Sequence, residues 1–207
     1  GNDRITHLVF FEIDFGMVHV GLRNRLTNLL QRRSFEHVEV DRCSGHLLDD
    51  WGKAKRLYVN FMPLPPNLLL GENLLRLRLF ATTLSPRSAS SLGEQIGSTT
   101  SRLEVLDLSA SSFVGEGVRL FARGVQSNKA LQRLIVSDCN LIDKQVAQVI
   151  QAFHHHPSIQ EVDLSSNKCR SDGMDALVQL LETTKLSKLA MGSQAFWGAQ
   201  RIDLRSL

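Results

Sequence analysis

A leucine-rich pattern recurs along this chain and constrains its fold more than any other feature. Its clearest copy begins at Leu131 and reads L-x-x-L-x-L-x-x-(N/C)-x-L, with Leu134, Val136, Cys139 and Leu141 at specified positions. The template begins eight times, at residues 5, 35, 54, 74, 103, 131, 159 and 186. Successive starts are 30, 19, 20, 29, 28, 28 and 27 residues apart, a regularity that chance matches in a leucine-rich chain would not produce.

Each copy of the pattern predicts a short β-strand. Apolar residues stand at positions four and six and alternate with positions three, five and seven, a period of two that indicates one buried face. A single strand cannot bury that face alone, whereas stacked copies can, so we expect parallel strands around one continuous core. The expected strand centres are Val9, Glu39, Tyr58, Arg78, Asp107, Ile135, Asp163 and Ala190.

The longer copies leave room for a helix after the strand. In four of them apolar residues recur fifteen, eighteen and twenty-two positions after the start, which is the spacing of one face of an amphipathic helix. Ser85 followed by Pro86 suits the first turn of one such helix. The four sets are Ala89, Leu92 and Ile96; Val118, Phe121 and Val125; Val146, Val149 and Phe153; and Met174, Leu177 and Leu181.

Two parts of the chain depart from this plan. The short copies between Phe35 and Asn73 have no room for a full helix, and Pro63, Pro65 and Pro66 favour an extended segment there. The tail, residues 196–207, has an amphipathic spacing of apolar residues, from which we expect a final helix over the open end of the core.

With these strand and helix patterns, the chain resembles the ribonuclease-inhibitor-like leucine-rich repeat family over nearly its whole length. The resemblance implies an α/β fold: a right-handed solenoid, or horseshoe, with parallel strands on its concave face and helices on its convex face. We expect residues 1–207 to form a single leucine-rich-repeat domain of about eight repeats. Since the chain begins at Gly1 and not at an initiator methionine, it can be a piece of a longer protein.

Composition disfavours several classes of partner. Hydrophobic residues make up 43% of the chain and charged residues 22%, which is typical of a folded globular protein. No apolar run approaches the ~18 residues that span a bilayer, so we expect no membrane contact. A net charge of +3 does not by itself indicate nucleic-acid binding, which requires basic residues gathered on one face.

The three cysteines favour a reducing environment. Cys43 and Cys139 occupy the ninth position of their copies and Cys169 the eleventh, so all three are predicted to be buried, in separate repeats. Their odd number argues against a disulfide-capped secreted protein. We therefore expect a cytoplasmic protein, with a nuclear location as the alternative.

The sequence contains no motif for nucleophilic catalysis, phosphate binding or metal binding. The run from His154 to His156 suits the C-terminal end of a helix better than a metal site, because consecutive helical residues point in different directions. Ser109, Ser137 and Ser165 recur at one repeat position and do not indicate a catalytic serine. We expect no enzymatic activity, and no cofactor, metal or small-molecule substrate.

The outward positions of the strands form the candidate binding surface. The third and fourth copies concentrate arginine and aromatic side chains there, on strands expected roughly 5 Å apart. These residue types are enriched at interface hot spots, because they combine a large contact area with directional hydrogen bonds. The alternative is that they merely pack on one another. The candidate partner-binding residues are Phe11, Arg56, Tyr58, Phe61, Arg76, Arg78, Phe80 and Arg133.

We therefore expect a protein–protein interaction module or scaffold that holds a protein partner on its concave face. One alternative within the same fold family is a GTPase-activating protein of the Ran type, which would accelerate GTP hydrolysis by a bound GTPase. A second is nucleic-acid binding, in which Arg56, Arg76 and Arg78 contact phosphates while Tyr58 and Phe80 stack on bases.

Overall fold

The computed structural model of the chain describes residues 5–45, 53–193 and 197–203. Within these residues it contains five α-helices, a nine-stranded sheet and a two-stranded sheet. In chain order the elements are β1 (His7–Phe11), α1 (Val20–Arg32), β2 (His37–Asp41), β3 (Arg56–Asn60), β4 (Arg76–Phe80), β5 (Thr83–Leu84), α2 (Pro86–Gly97), β6 (Val105–Asp107), β7 (Ser112–Phe113), α3 (Gly117–Val125), β8 (Arg133–Ile135), α4 (Asp143–Gln151), β9 (Glu161–Asp163), α5 (Ser171–Thr183), β10 (Lys188–Ser193) and β11 (Trp197–Asp203).

The larger sheet follows the order of the sequence copies, β1-β2-β3-β4-β6-β8-β9-β10-β11. Its first eight strands pair in parallel, each with the strand of the preceding copy. Every expected strand centre, from Val9 to Ala190, lies inside one of these strands. The prediction of eight parallel strands is confirmed, and their serial order is compatible with a solenoid.

The ninth strand corrects the prediction for the tail. Residues 197–203 form β11, which pairs antiparallel with β10 and places Ile202 opposite Leu189, where a helix was expected. The edge of β10 carries backbone groups that need hydrogen-bond partners, and an added strand satisfies them where a helix would not. Residues 194–196 and 204–207 of the tail lie outside the described residues.

Strand positions four and six and the helices enclose one core. From the second to the seventh copy, the residues at these two positions are at most 3% exposed. The apolar residues predicted for helices α2, α3 and α4 are buried, although Phe153 lies just beyond the end of α4. Helix α5 differs, because Met174 and Leu181 are exposed. Its buried residues are Gly173, Ala176, Leu177 and Leu180.

Asp143 accounts for the rotation of α5. It is the first residue of α4, but its carboxylate accepts the backbone N–H groups of Arg170, Asp172 and Gly173 at 2.6, 3.0 and 2.9 Å. Desolvation opposes the charge, yet these hydrogen bonds and the Arg170 side chain lower the pKa of Asp143. The carboxylate thereby holds Gly173 against α4, so the buried face of α5 starts at that residue and not at Met174.

The chain turns away from the strands through a left-handed residue at position eight of the copies. Seven of these residues have φ between 50° and 60°, a conformation that costs a non-glycine residue about 1 kcal/mol or more. They are Glu12, Arg42, Phe61, Ala81, Ala110, Asp138 and Ser166. The repeated turn fixes the direction of the position-eight side chains and turns the side chain at position nine towards the core.

In four copies the side chain at position nine joins the copy to the one before it. This side chain donates a hydrogen bond to the main-chain carbonyl at position six of the preceding copy. The pairs are Thr82 with Val59 at 3.3 Å, Ser111 with Leu79 at 2.6 Å, Cys139 with Leu108 at 3.0 Å and Asn167 with Val136 at 2.6 Å.

The cysteines are free, and their burial agrees with the prediction for two of the three. Cys43 and Cys139 are buried, whereas Cys169 is half-buried, so the prediction was wrong for Cys169. The cause is its place at the start of α5, where the neighbouring Lys168 and Arg170 are exposed.

A buried histidine closes the end of the sixth copy. His156 Nδ1 accepts the backbone N–H groups of Ser158 and Ile159 at 3.3 and 3.1 Å. One copy earlier, the side-chain oxygen of Asn128 accepts the N–H groups of Ala130 and Leu131 in the same way. Burial lowers the pKa of His156, while a hydrogen bond with the Asn128 backbone opposes that change.

The thiols provide a test of the register. Burial, reinforced by the charges of Asp138 and Asp107, raises the pKa of Cys139 to about 12. We expect a bulky thiol reagent to label native Cys139 about tenfold or more slowly than Cys169, and both equally in urea. Peptide mass spectrometry of timed samples measures the two rates. Equal native rates would show that Cys139 is not enclosed.

The pH dependence of folding provides a second test. Because the pKa of folded His156 lies below its ordinary value of 6.5, protonation favours the unfolded chain, and stability falls as the pH drops from 6.5 through the folded pKa. His156→Asn should keep the turn and remove this loss. Urea denaturation between pH 7.5 and 5 measures it, with exposed His155→Asn as the control. If both variants lose stability with falling pH as the parent does, His156 is not the group responsible.

Candidate protein-binding surface

The sheet presents a face on which positions three, five and seven of the strands lie, opposite the buried positions four and six; we call it the open face. The strand register aligns equal positions side by side, so each position forms a row across the sheet. The row at position three contains His7, His37, Arg56, Arg76, Val105, Arg133, Glu161 and Lys188.

Five side chains at one side of the open face touch in sequence, and we call them the aromatic–arginine cluster. The guanidinium of Arg42 lies 5.8 Å from the ring centre of Phe11 and 5.2 Å from that of Phe61. Phe61 contacts Phe80 edge to face, with ring centres 5.3 Å apart. The Arg78 guanidinium lies 4.8 Å from the Phe80 ring. The cluster therefore combines two cationic groups with three aromatic rings, contributed by four neighbouring copies.

The cluster remains open to solvent despite these contacts. Phe11 is 55% exposed and Phe61 47% exposed, and neighbouring Val9 is exposed as well. Phe80 and Arg78 are half-buried. Mutual packing therefore accounts for only part of the aromatic surface, and two rings remain available for contact with another molecule.

Tyr58, Arg56 and Arg76 adjoin the cluster along the same two strands. Tyr58 lies opposite Arg78, and Arg56 lies opposite Arg76. The Tyr58 ring is half-buried and meets His37 edge to face at 4.5 Å. Seven of the eight candidate residues thus belong to one patch that extends from β1 to β4.

Arg133 lies apart from this patch. It is two strands beyond Arg76, with Val105 between them, and its Nε lies 3.2 Å from Glu161 Oε2. Lys188 Nζ lies 3.2 Å from the same carboxylate oxygen, so Glu161 is shared by two cations. Arg133 is therefore a member of a separate group, in which it shares one carboxylate with Lys188.

Arg42 is the member of the cluster that the sequence pattern did not single out. It stands at position eight, and its left-handed backbone (φ 50°) aims the side chain between Phe11 and Phe61. It also pairs with Glu12 at 3.4 Å. Its role depends on the left-handed turn at position eight, and the residue types at that position do not predict the turn.

The rest of the open face carries small or internally bonded groups. Asp107 and Asp163 each accept the backbone N–H group two residues later, at 2.9 and 3.0 Å. Ser137 donates to Ser109 at 3.1 Å. The Ser109 hydroxyl also donates to the Asp107 carboxylate, so these carboxylates and hydroxyls are bonded to one another or to the backbone of their own turns.

The three consecutive histidines have different surroundings. His154 Nε2 lies 3.1 Å from the Ala176 carbonyl, His155 is exposed, and His156 is buried in its turn. Over residues 5–45, 53–193 and 197–203, no group of three or more potential ligands is arranged to hold a metal ion. No helix in those ranges is long and apolar enough to cross a membrane.

Comparison with known proteins shows a distant similarity to an NLR family protein. No protein-family profile matches the chain. NLR family CARD domain-containing protein 4 of Bos taurus is 24% identical to it over 184 residues, which covers 88% of the chain. That alignment spans 16% of the bovine protein, so the chain corresponds to a small part of its length. The chain is thus distantly similar to an NLR family protein through most of its repeats.

Proposed function

We propose that this chain is a non-enzymatic protein–protein interaction module of the ribonuclease-inhibitor-like leucine-rich repeat class. The sheet would curve into a horseshoe with the open face on its concave side, and a protein partner would lie against that face. The contact residues in this proposal are Phe11, Arg42, Arg56, Tyr58, Phe61, Arg76, Arg78 and Phe80, with Arg133 at the margin.

The exposure of the aromatic–arginine cluster is the observation that carries the proposal. Leaving apolar surface in water forgoes roughly 25 cal/mol for each Å² that could be buried. Phe11 and Phe61 leave about half of their surface in water, although Arg42 lies over both rings. A partner that covered them would gain apolar contact and cation–π interactions together, which is the chemistry of interface hot spots.

The backbone of Phe61 supports the same interpretation. A bulky residue with φ of 55° is unfavourable, and the equivalent positions in the next four copies hold Ala, Ala, Asp and Ser. Strain of this kind persists where the surrounding structure or a function requires it. Phe61 contacts Phe80 and Arg42, yet it remains 47% exposed, so these contacts use only part of its surface. A role in binding explains its size.

The distant similarity to an NLR family protein, a kind of protein that contains leucine-rich repeats, is consistent with an interaction module. The alternative of a Ran-type GTPase-activating protein draws no support from the comparisons. An assay of GTP hydrolysis by Ran with and without the chain separates the two. We place the module in the cytoplasm, or alternatively the nucleus, because its cysteines are free thiols.

The binding role is tested by removing the two exposed rings. Phe11→Ala combined with Phe61→Ala should weaken the capture of a protein partner by about 1–2 kcal/mol or more, since each change deletes exposed contact area. Both side chains are exposed, so the urea midpoint of unfolding should change little. Quantitative mass spectrometry of proteins captured on the immobilised parent and variant, followed by titration of the purified partner, measures the loss.

The matched control is Val114→Ala with Ile142→Ala, which removes two equally exposed apolar side chains that lie outside the open face. This control should capture the partner as the parent does. If it loses as much affinity as the phenylalanine variant, or if no captured protein depends on Phe11 and Phe61, the cluster is not the binding site.

A further inference from the structure

The face beside the aromatic–arginine cluster holds two arginines in direct cross-strand register. Arg56 on β3 lies opposite Arg76 on β4, and both side chains are exposed. In the same strands Arg78 lies opposite Tyr58, so three guanidinium groups occupy a small area. Like charges directly opposite each other destabilise a sheet. This pair therefore brings two like charges together at the surface of the sheet.

The carboxylates on the open face of the two flanking strands are already engaged. Glu39 accepts from Asn60 Nδ2 at 2.9 Å and pairs with His37 at 3.6 Å. Asp41 accepts from the same amide at 3.2 Å. Asp107 pairs with Arg78 at 3.6 Å. Each of these groups is thus committed to a partner other than Arg56 and Arg76.

Among the described residues, neither Arg56 nor Arg76 has an ion pair within 4.0 Å. Glu36 is near Arg56 but binds Lys55 Nζ at 2.6 Å. The hydrogen bond from Lys55 lowers the pKa of Glu36, whereas desolvation raises it. The charges of Lys55, Arg56 and His7 lower this pKa further. The positive potential at this end of β3 therefore exceeds what one carboxylate neutralises.

We infer that the partner presents an acidic protein segment, with a carboxylate bound between Arg56 and Arg76 and an apolar side chain against Phe61 and Phe11. This inference rests on the proposed function and specifies its ligand. Guanidinium groups bind carboxylates through paired, charge-assisted hydrogen bonds, and two adjacent arginines can each provide such a pair of N–H donors. Position three lies five residues before position eight, about 16 Å along an extended strand. The acidic and apolar side chains should therefore be about four or five residues apart.

The distribution of charge favours a short acidic segment over a nucleic acid. Among the described residues of the open face, the arginines without a carboxylate partner lie on two neighbouring strands, and Glu39, Asp41 and Asp107 lie on the strands that flank them. A nucleic-acid strand adds a phosphate with every nucleotide, and its charges beyond the first few would meet these carboxylates. A protein segment with one or two carboxylates matches the two free guanidinium groups without that repulsion.

Selection from a phage-displayed library of random peptides on the folded chain tests the inference. Peptides that carry Asp or Glu four or five residues from a large apolar residue should be enriched. Affinities of synthetic copies should fall about tenfold or more for Arg56→Gln with Arg76→Gln, because charge-assisted hydrogen bonds are lost. Lys188→Gln with Arg119→Gln removes the same charge from cations that already have carboxylate partners, and should change affinity less than threefold.

Four outcomes would overturn the inference. Enriched peptides without acidic residues that still require Phe11 and Phe61 would refute the acidic ligand and leave the proposed function standing. Equal losses in the two double variants would show that only net charge matters. Tighter binding of a single-stranded oligothymidylate than of any acidic peptide would favour nucleic acid. If no enriched peptide depends on Phe11, Phe61, Arg56 or Arg76, the proposed function fails as well.

Discussion

The contact between neighbouring copies is the interaction on which this structure depends. Parallel strand pairing joins each copy to the one before it, and the side chain at position nine adds a bond to the preceding copy's carbonyl group. No copy can bury its apolar face or satisfy its backbone without its neighbours. These contacts also determine the arrangement of the open face, because in-register strands align side chains from different copies into rows.

The sequence predicts the features that arise from repetition. Leucine, valine and similar residues at positions four and six identify every parallel strand, because only an alternating pattern buries one face. The exceptions occur where a local partner overrides the periodicity. The edge of β10 draws residues 197–203 into a strand, and Asp143 shifts the buried face of α5. The spacing of residues in the sequence predicts neither of these contacts.

The patch on β1 to β4 could likewise be predicted only in part from the sequence. Its composition is visible in the sequence, since Arg56, Tyr58, Arg76 and Arg78 stand at outward positions. Its continuity is not, because Arg42 connects Phe11 to Phe61 only through a left-handed turn. Arg133 shares the outward position but not the surroundings, since Glu161 already neutralises it. Position in the repeat predicts which side chains face outward, while the neighbouring carboxylates determine which of them stay available.

The Asp143 carboxylate has a consequence for how the molecule opens. It supplies to α5 the N-terminal cap that a helix ordinarily draws from its own preceding residue. Opening at the start of either helix breaks the same hydrogen bonds, so each helix start opens more easily once the other is open. Local opening is thus cooperative in this part of the chain, and the amide protons at the starts of α4 and α5 should exchange with solvent in a coupled way.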